Sequence, residues 1–128
     1  MKEKTRIIIA ESENIIVTDL QETLKEAGYT VIATAATGEE AIEKVKELKP
    51  DIIILDIYLN GEIDGRTAAR KIKEFSDTKI MFYSTCKDMQ TMDDIHAVID
   101  QPIINPEKVL FGLEVEKNLI SNVEKIIK

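Results

Sequence analysis

Short apolar runs and helical stripes take turns along the chain. Ile7-Ile8-Ile9-Ala10 is a continuous apolar run, the pattern of a parallel strand covered on both faces. From Asn14 to Ala27 the apolar positions Ile16, Leu20, Leu24 and Ala27 share one helical face, and Gly28 supplies the stop. Thr30 to Ala35 reads as a short strand. Thr37-Gly38-Glu39-Glu40 matches a capping box, with Thr37 the cap and Glu40 reaching back, and Ala41, Ile42, Val45 and Leu48 give the stripe of a helix that Pro50 ends. Asp51 to Asp56 is the strongest strand, an apolar run closed by a carboxylate at its C-terminal end. A loop with Asn60-Gly61 and Asp64-Gly65 leads to a helix over Thr67–Phe75.

In the last third of the chain the pattern weakens. Lys79 to Tyr83 predicts a strand ending in Ser84-Thr85, and Asp88 to His96 a helix with Met89, Met92 and Ile95 on one side. Ala97-Val98-Ile99 predicts a fifth strand ending near Gln101-Pro102. Asn105-Pro106-Glu107 predicts the start of a last helix that runs to the C-terminus, with a weak point at Gly112. Strands alternating with helices predict an α/β fold, a doubly wound five-stranded parallel sheet with its ligand edge at the C-terminal ends of the strands; the order expected for it is the flavodoxin-like 2-1-3-4-5, one of the two common doubly wound orders.

Composition agrees with one compact domain: 128 residues, 44% hydrophobic and 32% charged. The net charge of −7 argues against nucleic acid and against an anionic membrane surface as partners. No apolar stretch approaches the roughly 20 residues of a membrane helix. The single cysteine, Cys86, allows no internal disulfide and fits a reducing, cytoplasmic setting.

The predicted edge carries Glu11, Ser12 and Glu13 after the first strand, Asp56 after the third, Ser84 and Thr85 after the fourth and Gln101 after the fifth. In a sheet of order 2-1-3-4-5 the first and third strands are neighbours at the switch point, which brings Glu11 close to Asp56. Two carboxylates ~5 Å apart repel by about 3 kcal/mol at an effective dielectric of 20, unless they share a proton, are well hydrated or hold a cation. Oxygen ligands at a wet edge suit Mg²⁺. Spacing alone leaves mere solvation of these acids equally open.

Several motifs stand in a telling order: Ile-Ile-Ile-Ala-Glu-Ser-Glu at 7–13, Ala-Gly-Tyr at 27–29, Ala-Ala-Thr-Gly-Glu-Glu-Ala-Ile at 35–42, Lys-Pro-Asp-Ile-Ile-Ile-Leu-Asp-Ile-Tyr-Leu at 49–59, and then Asp64-Gly65. Together they resemble the CheY-like receiver domain of two-component response regulators over about residues 6–116. The resemblance implies that Asp56 is the phosphoacceptor for a histidine kinase. It implies Mg²⁺ beside Glu11, Ser12, Asp56 and the backbone carbonyl of Tyr58. It also implies Ser84 as the switch hydroxyl and Gln101 at the phosphate-contacting position, with a downstream effector as the further partner.

This sequence departs from the family at three of those positions. Ser12 stands for the second acid, which weakens the expected Mg²⁺ site. Gln101 stands for a lysine, removing a charge-assisted bond worth about 1–3 kcal/mol. Val98 stands for a Tyr or Phe. The alternative is therefore a degenerate pseudo-receiver, a protein-interaction module independent of phosphorylation.

An enzyme on the same architecture is disfavoured. The loop Glu11-Ser12-Glu13-Asn14 would repel a flavin phosphate, Tyr58 stands where a haloacid-dehalogenase-type phosphatase needs a second Asp, and there is no phosphate-binding glycine loop. His96, Cys86 and the methionines read as structural. Residues 1–116 are expected to form the receiver. Residues 117–128, with the stripe Leu119, Ile120, Val123, Ile126 and Ile127, are expected to form a helical extension that could fold back but is favoured to pair with another copy as a homodimer or to connect to another domain.

Overall fold

The computed structural model describes residues 5–84, 110–111, 120–121 and 123–124. Its elements are β1 (Arg6–Ala10), α1 (Asn14–Glu26), β2 (Thr30–Ala35), α2 (Gly38–Leu48), β3 (Ile52–Asp56), α3 (Gly65–Phe75), β4 (Lys79–Ser84) and β5 (Leu110–Phe111). All strand pairs are parallel and the sheet order is β2-β1-β3-β4-β5. The chain leaves β1 toward β2 and later returns past β1 to β3. Right-handed crossovers in opposite directions put α1 on one face and α2 with α3 on the other.

The covered faces explain the apolar runs. Ile7, Ile8, Ile9, Ala10 and Ile52 to Leu55 are fully buried, because both neighbours in the sheet and helices above and below exclude water. Edge strand β2 is only half-buried apart from Ala35. One register shift lies between Ile7 and Ile8 against β2, so that Ile32 is the extra residue on the edge side.

Local signals set the helix ends. Thr37 Oγ1 accepts from Glu40 N at 3.1 Å, and Glu40 Oε1 accepts from Ala36 N at 2.8 Å. The box therefore closes one residue earlier than the expected Thr37 amide. Gly28, at φ 94°, stops α1 in the left-handed region. At α3 the cap is Asp64, whose Oδ1 accepts from Thr67 N at 2.9 Å, so the helix starts before Thr67, at Gly65.

The strand beside β4 corrects the sequence reading. Leu110 and Phe111 were expected inside a helix running from Asn105. They form β5 instead, pairing Tyr83 with Leu110 and Ser84 with Phe111. The apolar stretch Val109-Leu110-Phe111 is a good strand former, Gly112 is a poor helix residue, and the backbone groups on the open edge of β4 need partners. Gln101 thus precedes the strand it was expected to follow. Residues 85–109, with the expected helix over 88–96, the expected strand at 97–99 and Gln101 itself, lie outside the described residues.

Residues 120–121 and 123–124 are helical. Val123 is 0% exposed within the same core as β1 and β3, and Ile120 packs against that core. These two positions of the C-terminal stripe are turned onto the chain's own sheet.

Candidate functional site

Two carboxyl groups meet where β1 and β3 end. Ala10 pairs with Leu55, so the next residues, Glu11 and Asp56, stand side by side. Glu11 N still donates to Ala35 O at 2.9 Å, which extends the ladder by one residue and holds Glu11 at the edge. Its side chain is only 4% exposed, and Oε2 accepts from Ser12 N at 2.6 Å and Glu13 N at 3.1 Å. The turn into α1 thus folds its first amides around this carboxylate.

Asp56 is half-buried and open to water on one side. Its Oδ1 accepts from Tyr58 N at 3.0 Å, and its carboxyl lies close enough to that of Glu11 for the two to interact. Two neighbouring carboxyl groups disfavour ionisation of both at once. Burial pushes the Asp56 carboxyl up to about 7; the charges of Glu11 and Glu13 add to this, and the Tyr58 amide opposes it. Adjacent carboxyl groups of this kind are relieved when a cation sits between them.

Gly65 lets α3 approach this edge. Gly65 N donates to Ile57 O at 3.0 Å, and a Cβ there would overlap the backbone carbonyl oxygen of Asp56 and sit 3.0 Å from Ile57 Cα. The Asp64-Gly65 pair was singled out in the sequence as a loop signal. Its steric role depends on which strand lies beneath it.

Ser12 faces the neighbouring loops. Its Oγ donates to Ala36 O at 2.9 Å and accepts from Asn60 N at 3.0 Å. Tyr58 is 44% exposed beside Asp56, and Ile15 is 78% exposed at the start of α1. Ser84 is the last residue of β4, one step beyond Tyr83, which pairs with Asp56. Sequence reasoning missed the anchoring of the β3–α3 loop: Glu39 Oε1 accepts from Ile63 N at 3.0 Å, and Thr37 bridges to Asn60. Glu39 carried no signal beyond a helix-start acid. Among the described residues, no three His, Cys, Asp or Glu side chains are grouped as a metal site.

A parallel sheet of this order, with two acids at its switch point, is matched by a known family. The family model of the response regulator receiver domain covers residues 7–101. The chain belongs to the response regulator receiver domain family. Of its relatives, the transcriptional regulatory protein YvrH of Bacillus subtilis is 40% identical over 80 residues, 62% of this chain and 33% of that protein. A protein-glutamate methylesterase/protein-glutamine glutaminase of Archaeoglobus fulgidus is 36% identical over 80 residues, 62% of this chain and 23% of that protein. The receiver therefore spans about a third or less of the length of these two relatives.

Among solved structures, the signal receiver domain of a modulated diguanylate cyclase from Desulfovibrio desulfuricans superposes with a TM-score of 0.82 at 27% identity, covering 95% of this chain and 92% of that one. Among the described residues, no helix of this receiver is long and apolar enough to cross a membrane.

Proposed function

We propose that this receiver accepts a phosphoryl group on Asp56 from a histidine kinase and, once modified, changes its affinity for a downstream effector. The observation that carries the reading is the half-exposed Asp56 carboxyl standing beside the buried Glu11 at the ends of adjoining strands. An oxygen of ionised Asp56 attacks the phosphorus of phosphohistidine. The P–N bond breaks, the imidazole leaves with its electron pair and takes up a proton, and an acyl phosphate remains.

The donor set fits a hard divalent cation: two adjacent carboxyl groups, oxygen only, at a wet edge. Glu11, Asp56 and the Tyr58 carbonyl would hold Mg²⁺, with Ser12 at the remaining family position. Bound there, the cation supplies charge neutralisation between carboxylate and phosphoryl group. The residues of the chain do the rest. The Tyr58 amide fixes Oδ1 of Asp56, and the Ser12 and Glu13 amides fix Glu11.

The added charge of about −1.5 to −2 on Asp56 gives Ser84, at the end of the adjoining strand, a reason to donate a hydrogen bond to it. Gln101 would offer the phosphate an amide where the family has an ammonium. Within this reading the chain turns over no metabolite, acts in the cytoplasm, divides into a receiver at 1–116 and a helical extension at 117–128, and needs no homodimer.

Incubation with acetyl phosphate and Mg²⁺ tests the proposal. The expected result is a mass gain of one phosphoryl group that Asp56→Asn abolishes. The phosphorylation-independent pseudo-receiver rests on Ser12, whose hydroxyl is engaged with two loops. It predicts no mass gain, and partner binding that Asp56→Asn leaves unchanged.

A further inference from the structure

Ser12 touches the surroundings of both carboxyl groups. Its backbone amide donates to Glu11 Oε2 at 2.6 Å. Its hydroxyl spends its proton on Ala36 O at 2.9 Å and accepts from Asn60 N at 3.0 Å. Asn60 lies two residues beyond Tyr58 on the same loop, and Tyr58 N holds Asp56 Oδ1 at 3.0 Å. One short side chain therefore fastens the loop after β2 to the loop after β3, and the latter carries the amide that orients the acceptor. Thr37 and Glu39 tie down the same loop at Asn60 and Ile63, with Gly38 leaving just enough room for Ile63. Of these residues, Ser12 alone adjoins Glu11 in the chain.

We propose that Ser12 is a positioning residue, a clasp that holds the β3–α3 loop in register with Asp56, and that it does not serve as a ligand to the cation. The proposal rests on the receiver reading above for its consequence in phosphoryl transfer, though not for the clasp itself. An aspartate at position 12 has no proton to donate to Ala36 O, so a hydroxyl suits this loop arrangement better than the acid it replaces. The site then depends on Glu11, Asp56 and the Tyr58 carbonyl for its hold on a divalent ion. Ser12 contributes by keeping the last two in place.

The test compares wild type, Ser12→Ala and Ser12→Thr by amide hydrogen exchange at Asn60 without metal, by Mg²⁺ titration, and by the rate of modification with acetyl phosphate at saturating Mg²⁺. Loss of the clasp in Ser12→Ala speeds Asn60 exchange about five- to tenfold, a hydrogen bond's worth. It slows modification by a similar factor and shifts the Mg²⁺ dissociation constant by less than about threefold. Ser12→Thr, which keeps the hydroxyl, restores exchange and rate. Unchanged Asn60 exchange in Ser12→Ala overturns the proposal. So does a loss of Mg²⁺ affinity beyond about tenfold, which would mark a direct ligand. If wild type itself takes no phosphoryl group, the acceptor reading falls, and the exchange comparison still decides the clasp.

Discussion

At Asp56, folding works against ionisation. Its pKa rises from 3.8 to about 7 through burial first and the neighbouring acids second. The protonated form is the one the fold favours, so the stabilisation is complete below pH 3.8 and is lost as pH rises through about 7. Asp56→Asn removes this dependence. Relative to wild type it is expected to gain about 1–3 kcal/mol at pH 8 and little at pH 4, measured by urea unfolding at both values. Mg²⁺ is expected to stabilise wild type at pH 8 and to leave Asp56→Asn nearly unmoved, read as a shift in melting temperature. Gly65 is the second residue on which the site turns. Gly65→Ala sets a methyl group against the backbone of Asp56 and Ile57, which cannot move aside as a side chain would. We expect a loss of about 1–3 kcal/mol in denaturant unfolding and a slower gain of phosphoryl mass than in wild type.

Helix starts are the elements that shape the edge. Asp64 caps α3 and also pairs with Arg66 at 2.9 Å. Burial pushes its carboxyl up, but the Thr67 amide and Arg66 outweigh it, and the pKa lies below 3.8. The capping stabilisation is therefore present above the ordinary carboxylate range and is lost as pH falls through the lowered value. Asp64→Ala is expected to cost about 1–2 kcal/mol at pH 7 and less near pH 2, again by denaturant unfolding. The capping box at Thr37 could be read from four consecutive residues because its bonds are local. β5 could not: the same apolar residues suit a helix or a strand, and the open edge of β4 selects the strand.

For the molecule as a whole, Ile120 and Val123 of the C-terminal stripe join the main core. Val123 is fully buried, and Glu124 lies near enough to Tyr29 that its charge, after burial, raises the tyrosine pKa. The segment therefore sits beside the turn between α1 and β2. Val123→Ala should lower stability by about 1–3 kcal/mol without altering the oligomeric state, as read by unfolding and light scattering together. A stripe that served only to pair two copies would lose the dimer instead.

The sequence by itself determined the alternation of strands and helices through β4 and placed Glu11 and Asp56 at strand ends. These follow from hydrophobic period and local caps, which act over short stretches of chain. Tertiary structure alone decided that burial and the neighbouring acids raise the Asp56 pKa, that Ser12 binds Ala36 and Asn60, that Gly65 must lack a side chain, and that Leu110 and Phe111 complete the sheet. Each of these depends on what a distant segment places within a few ångströms, and that is a property of packing with no local signal in the chain.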